Sequence, residues 1–63
     1  MKPSKIYKNS KFPNKSIDIF VEPVYGGGKV IQCENGKYSQ SIVLAKKAFN
    51  VFINEIEKEG WKP

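Results

Sequence analysis

Few residues in this chain are of a type and spacing that could do chemistry, and the first group is Gly26-Gly27-Gly28-Lys29. A phosphate-cradling P-loop also places glycines ahead of a lysine, but its lysine is followed by Ser or Thr at the start of a helix. Here Val30 and Ile31 follow, a strand-like run whose backbone N–H groups enter a sheet ladder and are not aimed at an anion. The glycines therefore read as a bend. Cys33 is the only cysteine and there is no histidine, so neither an internal disulfide, a structural zinc set nor a Cys–His nucleophile can be assembled. Asp18 and Glu22 stand four apart on one strand face, too sparse for a carboxylate pair. Catalysis, a cofactor and a metal are not expected.

The lysines are a different matter. The chain carries eleven lysines and no arginine against six acids, a net charge of +5. Residues 1–15, MKPSKIYKNSKFPNK, hold Lys2, Lys5, Lys8, Lys11 and Lys15 and no acid, while the rest of the chain is electrically balanced. The whole excess sits in one segment, spaced every three or four residues with Tyr7 and Phe12 between the charges. Such a segment serves either as a solubilising arm or as the electrostatic footprint for a polyanion.

The elements that must position these groups follow from periodicity. Sixty-three residues make a single domain, 1–63, with a modest core. Residues 1–4 are expected to be disordered. Extended segments are expected at 5–11, 16–24, 29–34 and 37–43. In the second, Ile17, Ile19 and Val21 share one face and Asp18, Phe20 and Glu22 the other. Pro23 cannot donate to a ladder and marks an edge or an end of pairing. Asn35-Gly36 is a strong hairpin signal because both central residues of a type I′ turn need φ above zero. In the fourth segment, alternation sets Tyr38, Gln40, Ile42 and Leu44 against Ser39, Ser41 and Val43.

From Ala45 the period changes. Ala45, Ala48, Phe49, Phe52, Ile53 and Ile56 form one stripe on a helix expected over 45–59, ended by Gly60 with Trp61 folding back. Lys46 and Lys47 open this helix and Glu55, Glu57 and Glu59 close it, both against the macrodipole. The expected fold is α+β: a four-stranded antiparallel β-meander with one C-terminal amphipathic helix on one face, ββββα.

One helix covers one face, so the other meets water, a second subunit or a ligand. Phe20, Tyr25 and Tyr38, with Tyr7, are the aromatic candidates for stacking bases. Lys5, Lys8, Lys11 and Lys15 are candidates for holding phosphates, with Lys29 and Lys37 assisting at the hairpin ends. Four strands followed by a helix, with KYSQSIVLAKKAFNVFINEIEK as the transition and IYKNSKFPNKSIDIFVEP as the entry, resembles the superfamily of Pur-alpha repeats, Whirly proteins and positive-cofactor-type transcriptional coactivators. That resemblance implies single-stranded DNA or RNA on the sheet and dimers paired often through the helices.

The expected function is thus a small basic nucleic-acid-binding protein that prefers single strands, from a phage or bacterial regulatory system. The alternative is a protein-interaction module, such as a phage-encoded inhibitor or accessory of a bacterial regulator, using a sheet edge or the acidic helix end. With no disulfide or metal available, a homodimer is the expected source of extra stability. No apolar run approaches the roughly 18 residues of a membrane span and no hydrophobic signal stretch is present, so a cytoplasmic protein without a membrane partner is expected.

Overall fold

Asn35 and Gly36 have φ of 55° and 76°, both positive as a type I′ turn requires, and they close β3 (Gly28–Glu34) onto β4 (Lys37–Leu44). The computed structural model describes residues 2–63. It adds β1 (Lys5–Lys8) and β2 (Lys15–Val21) to make one antiparallel sheet in the order β1-β2-β3-β4, followed by α1 (Lys46–Lys58). The expected ββββα meander is therefore the fold.

The helix lies on the sheet face that carries Tyr7, Ile17, Ile19 and Val30, and it contributes Phe49 and Ile56 to the same buried cluster. Leu44, Phe52, Ile53 and Trp61 pack around it half-buried. The C-terminus of α1 closes as a Schellman motif: Trp61 N–H donates to Ile56 O at 3.0 Å and Gly60 N–H to Glu57 O at 3.2 Å, with Gly60 at φ 101°. Trp61 then stacks on Phe12, ring centroids 6.0 Å apart.

Several boundaries fall short of the periodicity. The first strand ends at Lys8, three residues before the expected 11, because Asn9 turns inward and is buried. Its Nδ2 donates to Glu59 O at 3.1 Å and its Oδ1 accepts from Lys11 N–H at 3.0 Å, which ties the strand end to the helix end. The second strand ends at Val21, not 24: Pro23 lacks an N–H, and the Glu22 carboxylate accepts from Val24 N–H at 3.0 Å to hold a turn. Ser4, expected to be disordered, is bound to β2 through its N–H to Ile19 O at 2.7 Å and its Oγ, which accepts from Val21 N–H at 3.1 Å. Met1 lies outside the described residues. A register shift at Gln32/Cys33 sets Cys33 opposite Tyr38 and Gln32 opposite Gln40, so Ser39 is the extra residue of a bulge. That bulge moves Tyr38 off the side of Gln40, Ile42 and Leu44, where strict alternation had put it.

The glycine run is a packing device. A Cβ on Gly28 would stand 2.5 Å from the Phe20 carbonyl oxygen on β2 and 2.6 Å from Phe49 Cε1, so both the strand pairing and the seat of Phe49 depend on β3 beginning without a side chain. The acidic helix end is likewise partly explained: Glu57 accepts a 3.0 Å hydrogen bond from the buried Tyr7 hydroxyl, and Glu55 pairs with Lys58 at 3.7 Å.

Two outcomes follow from this packing. Gly28→Ala overpacks the seat of Phe49 at a cost of about 1–3 kcal/mol, and thermal denaturation followed by circular dichroism should show a midpoint lower by roughly 5–20 °C. Burial and the neighbouring Glu57 carboxylate hold Tyr7 ionisation above its ordinary value of 10.0. The folded chain thus keeps a proton that the unfolded chain gives up, and stability falls as pH rises past 10. Tyr7→Phe should cost about 1 kcal/mol at neutral pH. In urea titrations that gap between wild type and variant should close as pH climbs above 10.

Candidate nucleic-acid interface

Pairing register assigns every strand residue to a face. Lys5 and Tyr7, Ile17 and Ile19, Val30 and Gln32, Gln40, Ile42 and Leu44 point to the helix side. The reverse face is made of three rows across the sheet. Phe20, Lys29 and Val43 form the row nearest the glycine loop. Ile6, Asp18, Ile31 and Ser41 form the middle row, and Lys8, Ser16, Cys33 and Tyr38 the last. No element of the described chain crosses this face, and the molecule is only 16 Å deep along its thinnest axis.

The resulting surface is apolar with a few charges. Tyr25, 78% exposed in the β2–β3 loop, shares a shallow groove with Phe20, Lys29, Ile31 and Val43. At the opposite end of the strands, the Tyr38 hydroxyl donates to Ser41 Oγ at 2.9 Å, which holds its exposed ring along β4. Lys8 stands at the β1 corner of the last row, and Lys29 stands in the row nearest the glycine loop between Phe20 and Val43. Among the described residues, two acids belong to this side: Glu22 lines the groove beside Phe20 and Tyr25, and Asp18 lies half-buried in the middle row with Cys33 Sγ 4.0 Å from its Oδ2.

The ten residues singled out from sequence thus separate. Phe20, Tyr25, Lys29, Tyr38 and Lys8 line or border the open face. Tyr7 does not: it is 1% exposed in the core on the helix side, so it cannot stack on a ligand. Lys5 also points to the helix side, beside Tyr7, Ile19, Phe49 and Asn50. Lys15 lies over the Phe12 ring, 5.3 Å from its centroid, and sits at the helix-side end of the sheet with Glu34 and Trp61. Lys37 begins β4 opposite Glu34. Lys11 gathers with Lys8, Lys58 and Lys62 around Asn9 and Ser10, beside Glu59.

That last cluster was not visible in the N-terminal segment alone. It forms because Lys62 pairs with Lys8 through two backbone hydrogen bonds of 2.8 Å, which lay the chain's last residues against the outer edge of β1. Nothing in the local sequence marks Lys58 and Lys62 as neighbours of Lys8. Ile6, Ile31 and Val43 were also missed as parts of the open face. For Ile31 the signal was present, since Lys29, Ile31 and Cys33 alternate with Val30 and Gln32.

Two arrangements are therefore available for binding. One is the groove where bases or other flat apolar groups could lie against Phe20 and Tyr25, between the Lys29 ammonium and the Glu22 carboxylate. The other is the lysine cluster at the far corner, suited to an anion by charge alone. Compared with known proteins, the chain matches no protein-family model, no curated protein and no solved structure.

Proposed function

We propose that this chain is a small nucleic-acid-binding protein that takes single-stranded DNA or RNA across its open sheet face. It acts by binding and not by catalysis, in the cytoplasm of a bacterium or in a phage-encoded regulatory system. The observation that carries the reading is the uncovered face itself, with Phe20, Tyr25 and Tyr38 available on or beside it, Lys8 at its β1 edge and Lys29 between Phe20 and Val43. Bases stacked on such rings contribute about 1–3 kcal/mol each, and every base has a face to offer, so the mode tolerates sequence. A duplex hides those faces in its own stack. The layout also resembles the Pur-alpha, Whirly and coactivator superfamily, in which the sheet is the binding surface.

The phosphate contacts differ from a simple reading of the basic segment. Lys8, Lys11 and Lys62 border one end of the open face and Lys29 the other, while Lys5 and Lys15 belong to the helix side. A strand laid from the lysine cluster toward the glycine loop crosses the middle row at Ile6, Asp18 and Ile31 before it reaches Phe20 and Tyr25, with Tyr38 off to the β4 side.

A second reading has its own observation. The outer edge of β4 has no strand beside it among the described residues, which suits a protein-interaction module adding a strand there.

Fluorescence anisotropy with a labelled single-stranded oligonucleotide, competed with duplex, tests the main proposal. With four lysines on phosphates, the affinity should fall with salt at a log–log slope of about −2.8, from about 0.7 per contact. Tyr25→Ala and Phe20→Ala should each weaken binding about 5- to 150-fold. Lys8→Gln should flatten the slope by about 0.7, and Lys5→Gln should leave it unchanged. A flat salt dependence, or full affinity in the two aromatic variants, removes the proposal.

A further inference from the structure

The two edges of the sheet are treated differently. β1 is short, carries Lys5 and Lys8, and has Lys62 hydrogen-bonded along its outer side. β4 is the longest strand, eight residues, and its outer backbone groups have no partner among the described residues. It is open on both faces as well: Ile42 on the helix side is 56% exposed and Val43 on the other side 76%. Residues 38–45 contain no charge and no proline, the usual devices that keep an edge from pairing. The helix leaves this side bare too, with Val51 55% exposed and a hollow lined by Val30, Ile42, Leu44 and Phe52.

Surface area argues in the same direction. A monomeric protein of 7.2 kDa is expected to expose about 4,100 Å². This chain exposes 4788 Å². The excess of roughly 650 Å² belongs to the molecule as a whole, the open sheet face as well as the β4 side, and marks a chain with uncovered surface on both.

We infer that a second copy of this chain pairs with it along β4, antiparallel about a twofold axis through Ile42, to make one continuous eight-stranded sheet. The geometry selects that register. Residues directly opposite in a sheet share a face, so helix-side residues must meet helix-side residues. The bulge at Ser39 leaves Gln40–Leu44 as the regular stretch, and its midpoint is Ile42. Centred there, Ile42 meets its own counterpart, Gln40 meets Leu44 and Ser41 meets Val43. An axis on Ser41 would instead carry the pairing into the bulge. A second copy fits better than a foreign strand because the stretch is uncharged and matches itself in face and length. The twofold axis stands perpendicular to the sheet, so both helices fall on one side and both open faces on the other.

Sedimentation equilibrium at about 0.15 M salt, where surface charge repulsion is largely screened, tests this without any nucleic acid, so it succeeds or fails independently of the ligand proposal. Wild type should sediment at twice the chain mass of 7.2 kDa. Ile42→Lys should halve that mass with an unchanged far-ultraviolet spectrum, and Gln40→Lys, at an exposed polar position, should do the same if the first variant folds poorly. In a Cys33→Ser background, Ile42→Cys should form a covalent dimer on oxidation and Gln40→Cys should not. A monomeric wild type overturns the inference. So does a dimer that survives both lysine substitutions, since its interface would then lie elsewhere, or one in which Gln40→Cys cross-links and Ile42→Cys does not.

Discussion

One amphipathic helix has one apolar stripe, and a four-stranded sheet offers two faces and two edges. Everything distinctive about this molecule follows from that shortage of cover. The stripe of α1 is spent on Tyr7, Ile17, Ile19 and Val30, toward the β1–β3 side, and its C-terminus is locked there by the Tyr7–Glu57 and Asn9–Glu59 hydrogen bonds. The same locking that secures the core leaves the outer edge of β4 and the whole reverse face uncovered among the described residues.

Charge is distributed by topology more than by sequence position. The basic N-terminal segment looks continuous when written out, yet the period of two in β1 sends Lys5 and Lys8 to opposite sides, and the turn after Asn9 carries Lys11 and Lys15 apart. What replaces the run is a corner where Lys8 and Lys11 meet Lys58 and Lys62. The helix, which opens on Lys46 and Lys47 and closes on acids, is tolerable for a related reason. Glu57 is occupied by a buried phenol and Glu55 by Lys58, so two of the three terminal acids have partners close at hand.

Local rules made much of the fold legible. Asn35-Gly36, the stripe from Ala45 to Ile56, and Gly60 followed by Trp61 each state a backbone geometry in a few residues, and the hairpin, helix and cap lie where those residues put them. What was not legible depends on contacts between distant segments. Asn9 looks like a turn residue, and only the helix end fifty positions later makes it a buried clasp. Tyr7 looked like a strand aromatic beside lysines, and Glu57 supplies the partner its hydroxyl needs to be core. The bulge at Ser39 has no sequence mark, yet it decides which side of the sheet receives Tyr38. The aromatics of the open face were identified correctly where alternation alone governs, as at Phe20, and incorrectly where burial overrides it, as at Tyr7.

The clasp between the chain's two ends bears on how the molecule assembles. Strands adjacent in the sheet are adjacent in sequence, so hairpins can zip in succession with short loops to close. The Tyr7–Glu57 and Asn9–Glu59 links join residues fifty apart in sequence and tie the last element, the helix, to the first strand. If the helix docks after the meander has formed, these links act as a brake on opening: they lengthen the lifetime of the folded chain while leaving the speed of its formation to the meander.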